Sequence, residues 1–134
     1  MLIIKTPQKY INEPGVINNA GNLIKEYGSR LYILGGKNSF DKTYSVLKKS
    51  FDAAGLVYKT AVLDGYPTRE NFEIHARAAK EFGADVFVAV GGGKVCDTSK
   101  SAAALAGITC VTIPTIAATC AAWAALSVVY NDEG

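Results

Sequence analysis

Apolar residues along the chain fall into two alternating patterns. Val16, Ile17, Ala20, Leu23, Ile24 and Tyr27 recur at helical spacing after Pro14-Gly15, and Gly28 ends the run. A second helical run from about Ser39 places Tyr44, Leu47, Phe51 and Ala54 on one face, with Gly55 as its stop. A third, capped by Thr68, carries Phe72, Ile74, Ala76, Ala79 and Phe82 and stops at Gly83. A fourth spans about Lys94 to Ala106. Between them lie short apolar runs at 31–34, 57–63, 86–90 and 109–113, read as strands, with 64–68 as a turn. Residues 2–5 and 7–10 read as an opening strand or hairpin.

Strands separated by helices of this length imply parallel pairing, and the unbroken apolarity of Val86-Phe-Val-Ala-Val90 implies a sheet covered on both faces. The expected fold is one α/β domain: a Rossmann-like, doubly wound parallel sheet over residues 1–134. That length suits a single core.

Composition narrows the picture little. Hydrophobic residues make up 49% and charged residues 19%, and the net charge is only +2 with the basic residues scattered. No nucleic-acid or membrane partner is therefore expected. Cys96, Cys110 and Cys120 form no CxxC pair and read as free thiols. The start Met-Leu-Ile-Ile-Lys-Thr-Pro lacks a signal-peptide core, so the cytoplasm is the default expectation.

The candidate chemistry begins at Gly91-Gly92-Gly93-Lys94. Three consecutive glycines lose much backbone freedom on folding, which calls for something packed close to them. The turn falls between a strand and a helix, at the carboxyl edge where open parallel sheets bind ligands. Its amides, the helix dipole and the Lys94 charge suit a phosphate. Asp97 falls in the same helical turn, placed to accept from a ribose or carboxamide, and Lys100 can pair with it at i,i+3. Neither a Walker A loop nor G-x-G-x-x-G fits, because Val88 and Cys96 stand where glycines belong. A tight turn without ligand is the other reading.

The run Gly91-Gly-Gly-Lys94-x-x-Asp97-x-x-Lys100, then Val111-Thr-Ile-Pro114-Thr-Ile-Ala-Ala-Thr119, then Ala125-Leu126-Ser-Val-Val-Tyr130 resembles glycerol dehydrogenase and the metal-dependent, iron-containing alcohol dehydrogenases. The opening Gln8-Lys9-Tyr10 through Gly15 is similar too, so the resemblance covers essentially the whole chain. It implies a dehydroquinate synthase-like N-terminal domain that binds NAD or NADP and serves hydride transfer with a small alcohol, polyol or oxo acid. Gly92, Gly93 and Lys94 would meet the diphosphate, and Asp97 the nicotinamide side. Thr115 and Ala118 would line the cofactor, while Leu126 and Tyr130 close over it. The family's Zn²⁺ or Fe²⁺ is held by an Asp and two His in a helical domain absent from these residues. His75, the only histidine, reads as a surface or packing residue. No metal ligand is assigned here, no catalytic residue is named, and the chain alone is expected to bind nucleotide without turnover.

Two positions depart from glycerol dehydrogenases. They carry an acid where Gly36 stands, against the adenosine ribose; here Lys37 follows instead, which should tolerate or favour NADP. They carry a polyol-holding aspartate where Cys120 stands, so glycerol is disfavoured. The Thr119-Cys120-Ala-Ala-Trp123 variant resembles a branch acting on 2-oxo and 2-hydroxy acids. The alternatives are a nucleotide-binding module without catalysis and a non-redox, dehydroquinate synthase-like enzyme. Residues 127–132 read as a strand whose exposed edge could pair with a second copy.

Overall fold

The computed structural model describes residues 1–2, 6–117 and 120–131. A 3₁₀ turn at Val16–Asn19 leads into α1 (Ala20–Lys25). There follow β1 (Arg30–Gly35), α2 (Lys37–Ala53), β2 (Val57–Val62), α3 (Arg69–Phe82), β3 (Val86–Gly91), α4 (Gly93–Ala106) and β4 (Thr109–Pro114). All pairings are parallel and the strand order is β2-β1-β3-β4. This is the expected Rossmann-like α/β sheet.

The layers follow from the apolar pattern. β3 is buried along its whole length and β1 in all but Arg30, so both strands need apolar side chains on both faces. Leu31, Ile33, Val86, Val88 and Val90 pack with Ile24 of α1 and Leu47 and Phe51 of α2. Tyr32, Leu34, Phe87 and Ala89 pack with Ala76 and Ala79 of α3 and Cys96, Ala102 and Ala103 of α4. The chain therefore leaves β1 toward one face and β3 toward the other. That divergence opens a crevice between the carboxyl ends of β1 and β3.

Four expectations shift. The first helix is a 3₁₀ turn plus six α-helical residues, because Asn18 turns its amide onto the Gly15 carbonyl at 3.0 Å and Asn19 accepts from Asn22 at 2.8 Å. α2 begins at Lys37 rather than Ser39: extended Gly36 is its cap, and the Ser39 hydroxyl is turned to Thr115 instead. Residues 7–10 form no strand, and 3–5 lie outside the described residues. Residues 127–131 form no strand either. Ser127 Oγ donates to the Asp97 carbonyl at 3.1 Å and Tyr130 N to the Pro67 carbonyl at 2.9 Å, which ties this stretch to α4 and the β2–α3 loop. Among the described residues no helix is long and apolar enough to cross a membrane.

Candidate functional site

The site is built where two helix tips meet. α4 starts from Gly92 in an extended conformation with no side-chain cap, and its first intrahelical bond runs from Cys96 N to Gly92 O at 3.0 Å. The amides of Gly93, Lys94 and Val95 therefore precede the hydrogen-bonded ladder and point out of the tip. α2 repeats the arrangement: Gly36 caps it without a side chain, and the ladder opens with Phe40 N to Gly36 O at 3.0 Å. Gly36 N donates to Val90 O at 3.3 Å, which holds the two loops together. Two uncapped positive helix ends face one crevice, an arrangement suited to an anion.

The glycines at this turn have packing reasons of their own. A Cβ on Gly91 would lie 2.9 Å from Val95 Cβ, and one on Gly92 would lie 2.9 Å from Ile116 Cδ1. Neither needs a positive φ. Close approach to Val95, not backbone freedom, requires glycine at 91, whereas at 92 the end of the Ile116 side chain could move aside.

Lys94 is exposed and folds toward the β2–α3 loop, with Nζ 4.0 Å from the centroid of the Tyr66 ring. The Tyr130 ring centroid lies 5.2 Å from that of Tyr66. Asp97 is buried and pairs with Lys100, Oδ1 to Nζ at 3.1 Å, the i,i+3 contact expected from the sequence. Lys100 Nζ also donates to the carbonyls of Ala121 at 2.7 Å and Ala124 at 3.0 Å, and to that of Leu126. Thr115 reaches the crevice from the end of β4; its hydroxyl lies 3.1 Å from Ser39 Oγ in the first turn of α2, and its amide donates to Gly91 O at 3.1 Å.

Gly36, Gly92, Gly93, Lys94, Asp97, Thr115 and Tyr130 are thus gathered at one end of the sheet. Lys37 is exposed at the first position of α2. Leu126 is exposed, and Cys120 is exposed with its carbonyl accepting from the amides of Trp123 and Ala124 at 2.9 Å. Ala118 lies outside the described residues. His75 is buried, its Nδ1 2.9 Å from the Tyr32 hydroxyl, and burial lowers its pKa from 6.5. It is a packing residue remote from the crevice. Tyr66, Ser39 and Ile116 belong to the site and were not singled out in the sequence. An aromatic in a turn or a serine in a first helical turn carries no local signal of a partner tens of residues away.

Among the described residues no group of three or more His, Cys, Asp or Glu could hold a metal ion. An open groove of about 1090 Å³ runs along β4, between the opening segment, α1 and residues 122–125, and reaches Thr115, Ile116 and Lys100.

A family model for iron-containing alcohol dehydrogenase matches residues 7–134. Among curated proteins, a glycerol dehydrogenase of Escherichia coli is 36% identical over 132 residues, covering 98% of this chain and 36% of that protein. Hydroxycarboxylate dehydrogenase A of Escherichia coli is 35% identical, with the same shares covered. The crystal structure of a probable glycerol dehydrogenase from Sinorhizobium meliloti superposes with a TM-score of 0.84 at 31% identity, over 96% of this chain and 34% of that one. The chain therefore spans about a third of the length of the relatives it matches.

Proposed function

From the premise that this chain belongs to the iron-containing alcohol dehydrogenase family, we propose that its 134 residues form the dinucleotide-binding part of an oxidoreductase. That enzyme would move hydride between NAD or NADP and a small alcohol, or a 2-hydroxy and 2-oxo acid pair. The observation that carries this reading is the meeting of the Gly92 and Gly36 helix tips at the β1/β3 crevice, with Lys94 beside them. Such a cradle suits a diphosphate: amides and dipoles supply the hydrogen bonds and the ammonium supplies a full charge. Gly92, Gly93 and Lys94 would take the diphosphate and Asp97 the nicotinamide side. Thr115 and Ala118 would line the cofactor, with Leu126 and Tyr130 closing over it.

Gly36 and Lys37 would face the adenosine ribose. No carboxylate side chain stands at either position, so a 2′-phosphate meets no repulsion there, and NADP should bind at least as well as NAD. Cys120, which is exposed, would face the substrate. An uncharged thiol cannot offer two anionic acceptors to a polyol, which favours a hydroxy or oxo acid over glycerol.

When bound, a metal of this family's kind would polarise the alcohol oxygen. The described residues do not fit such an ion. We place its ligands outside these 134 residues, in the helical domain that the resemblance implies, and the chain by itself should bind cofactor without turning over substrate.

Calorimetric titration with NAD and NADP tests the reading directly. Both should bind with submillimolar Kd, and Lys94→Ala should weaken binding about tenfold, or roughly 1.4 kcal/mol, without lowering the melting temperature. Absence of binding of either dinucleotide at millimolar concentration would overturn the proposal. Unchanged affinity in Lys94→Ala would remove Lys94 from it, and an NAD affinity well above that for NADP would remove the role given to Gly36 and Lys37.

A further inference from the structure

Lys100 sits one helical turn beyond Asp97 on α4, where a lysine would ordinarily extend its charge into water. Its side chain is only 15% exposed. Nζ lies among four protein oxygens: Asp97 Oδ1 at 3.1 Å, Ala121 O at 2.7 Å, Ala124 O at 3.0 Å and Leu126 O. An ammonium has three N–H donors, so these acceptors saturate it. Three carbonyls from within a six-residue stretch converging on one point is not a helix or strand pattern. Residues 121–126 are wrapped around the charge. The turn begins at Cys120, whose carbonyl takes both the Trp123 and Ala124 amides at 2.9 Å, and Ser127 Oγ then bonds to the Asp97 carbonyl at 3.1 Å.

We propose that Lys100 is a positioning residue, a buried charge that folds residues 120–127 onto the first turns of α4 and so delivers Leu126 to the end of α4 that borders the cofactor crevice. Only the purpose of that delivery rests on the dinucleotide reading. Without the ammonium, these oxygens would lose the donor they share, and the segment would leave α4 to hydrate them. The sheet and its covering helices would remain, because only Ala121 and Ala122 of the segment touch their cores, at the margin of the α3–α4 face.

The chain carries its own reporter. Trp123 is the only tryptophan, lies within the segment, and packs edge-on against Tyr10 at 4.8 Å between ring centroids. In Lys100→Met, the far-UV melt should stay cooperative while Trp123 emission shifts to the red and iodide quenching rises. Amide exchange at 121–127 should accelerate at least about tenfold with α4 unchanged. NAD affinity should fall about fivefold or more. Lys100→Arg keeps the charge but presents a planar head that cannot gather the same oxygens at one point, so the changes should share their sign and be smaller.

Unaltered emission and exchange in both variants would overturn the clasp. So would loss of the cooperative melt in both, since Lys100 would then hold the whole fold. Release of the segment with undiminished NAD affinity would overturn the positioning role. If the unsubstituted chain binds no NAD, the dinucleotide reading falls, and emission and exchange alone still decide the clasp.

Discussion

Lys94 does not extend freely from the tip of α4; its ammonium rests over the Tyr66 ring at 4.0 Å, and the Tyr66 and Tyr130 ring centroids lie 5.2 Å apart. A cation over an aromatic face at an exposed site is worth about 0.5–1 kcal/mol, enough to bias where the charge sits. Tyr66→Leu should therefore weaken dinucleotide binding about twofold to fivefold in the presence of Lys94. It should do nothing in the Lys94→Ala background, and equal losses in both backgrounds would show that Tyr66 acts independently of the lysine. The cysteines separate at the same scale. Burial pushes the Cys96 thiol up to about 11, and burial together with Cys96 pushes Cys110 up to about 12. Cys120 alone of the three is exposed. An aromatic disulfide reagent at pH 8 should modify one thiol rapidly, and Cys120→Ser should abolish that phase. A second fast thiol would mean that α4, over Cys96, or the β4 edge, at Cys110, opens readily.

Elements that carry a local rule in their own residues were legible in the sequence, and those fixed by a distant partner were not. α3 shows the first kind: Thr68 Oγ1 accepts from Asn71 N at 3.2 Å and Gly83 closes the helix at φ 73°, both readable from residue type and position. β3 shows it too, since five consecutive apolar residues suit only a strand covered on both sides. The Asp97–Lys100 pair followed from helical spacing. By contrast, Ser39 looked like a helix start because of its type, yet its hydroxyl faces Thr115, 76 positions on. Residues 127–132 read as a strand, but the Asp97 and Pro67 carbonyls capture Ser127 and Tyr130. α1 is held in the same long-range way. Gly21 N donates to Ser50 Oγ at 2.8 Å, and a Cβ on Gly21 would stand 2.3 Å from the Ser50 carbonyl oxygen. Gly21→Ala must push α1 off α2, so it should cost about 1–3 kcal/mol despite alanine's higher helix propensity. A urea midpoint equal to the parent's would show that α1 is already loosely seated.

Stability of the whole domain should depend on pH through the contact that joins its central strand to its outer helix layer. His75 on α3 is buried beside the Tyr32 hydroxyl of β1, and Tyr32 in turn packs on Phe87 of β3 at 5.1 Å between centroids. Desolvation lowers the His75 pKa below 6.5, so the folded chain keeps the ring neutral where the unfolded chain already protonates it. Between the folded pKa and 6.5 the unfolded state binds more protons, and ΔG of unfolding rises with pH. Stability is thus complete above about pH 6.5 and is lost as pH falls below it. Asp52, held below its usual 3.8 by Lys48 and Tyr58, also loses stabilisation on acidification, but only as pH falls below about 3.8. Urea midpoints taken at half-unit steps from pH 7.5 to 5 should therefore hold level to about pH 6.5 and decline below it, and His75→Gln should flatten that decline whatever it does to the midpoint at pH 7.5. A slope that survives the substitution would place the titrating group elsewhere and leave the Tyr32–His75 contact as packing alone.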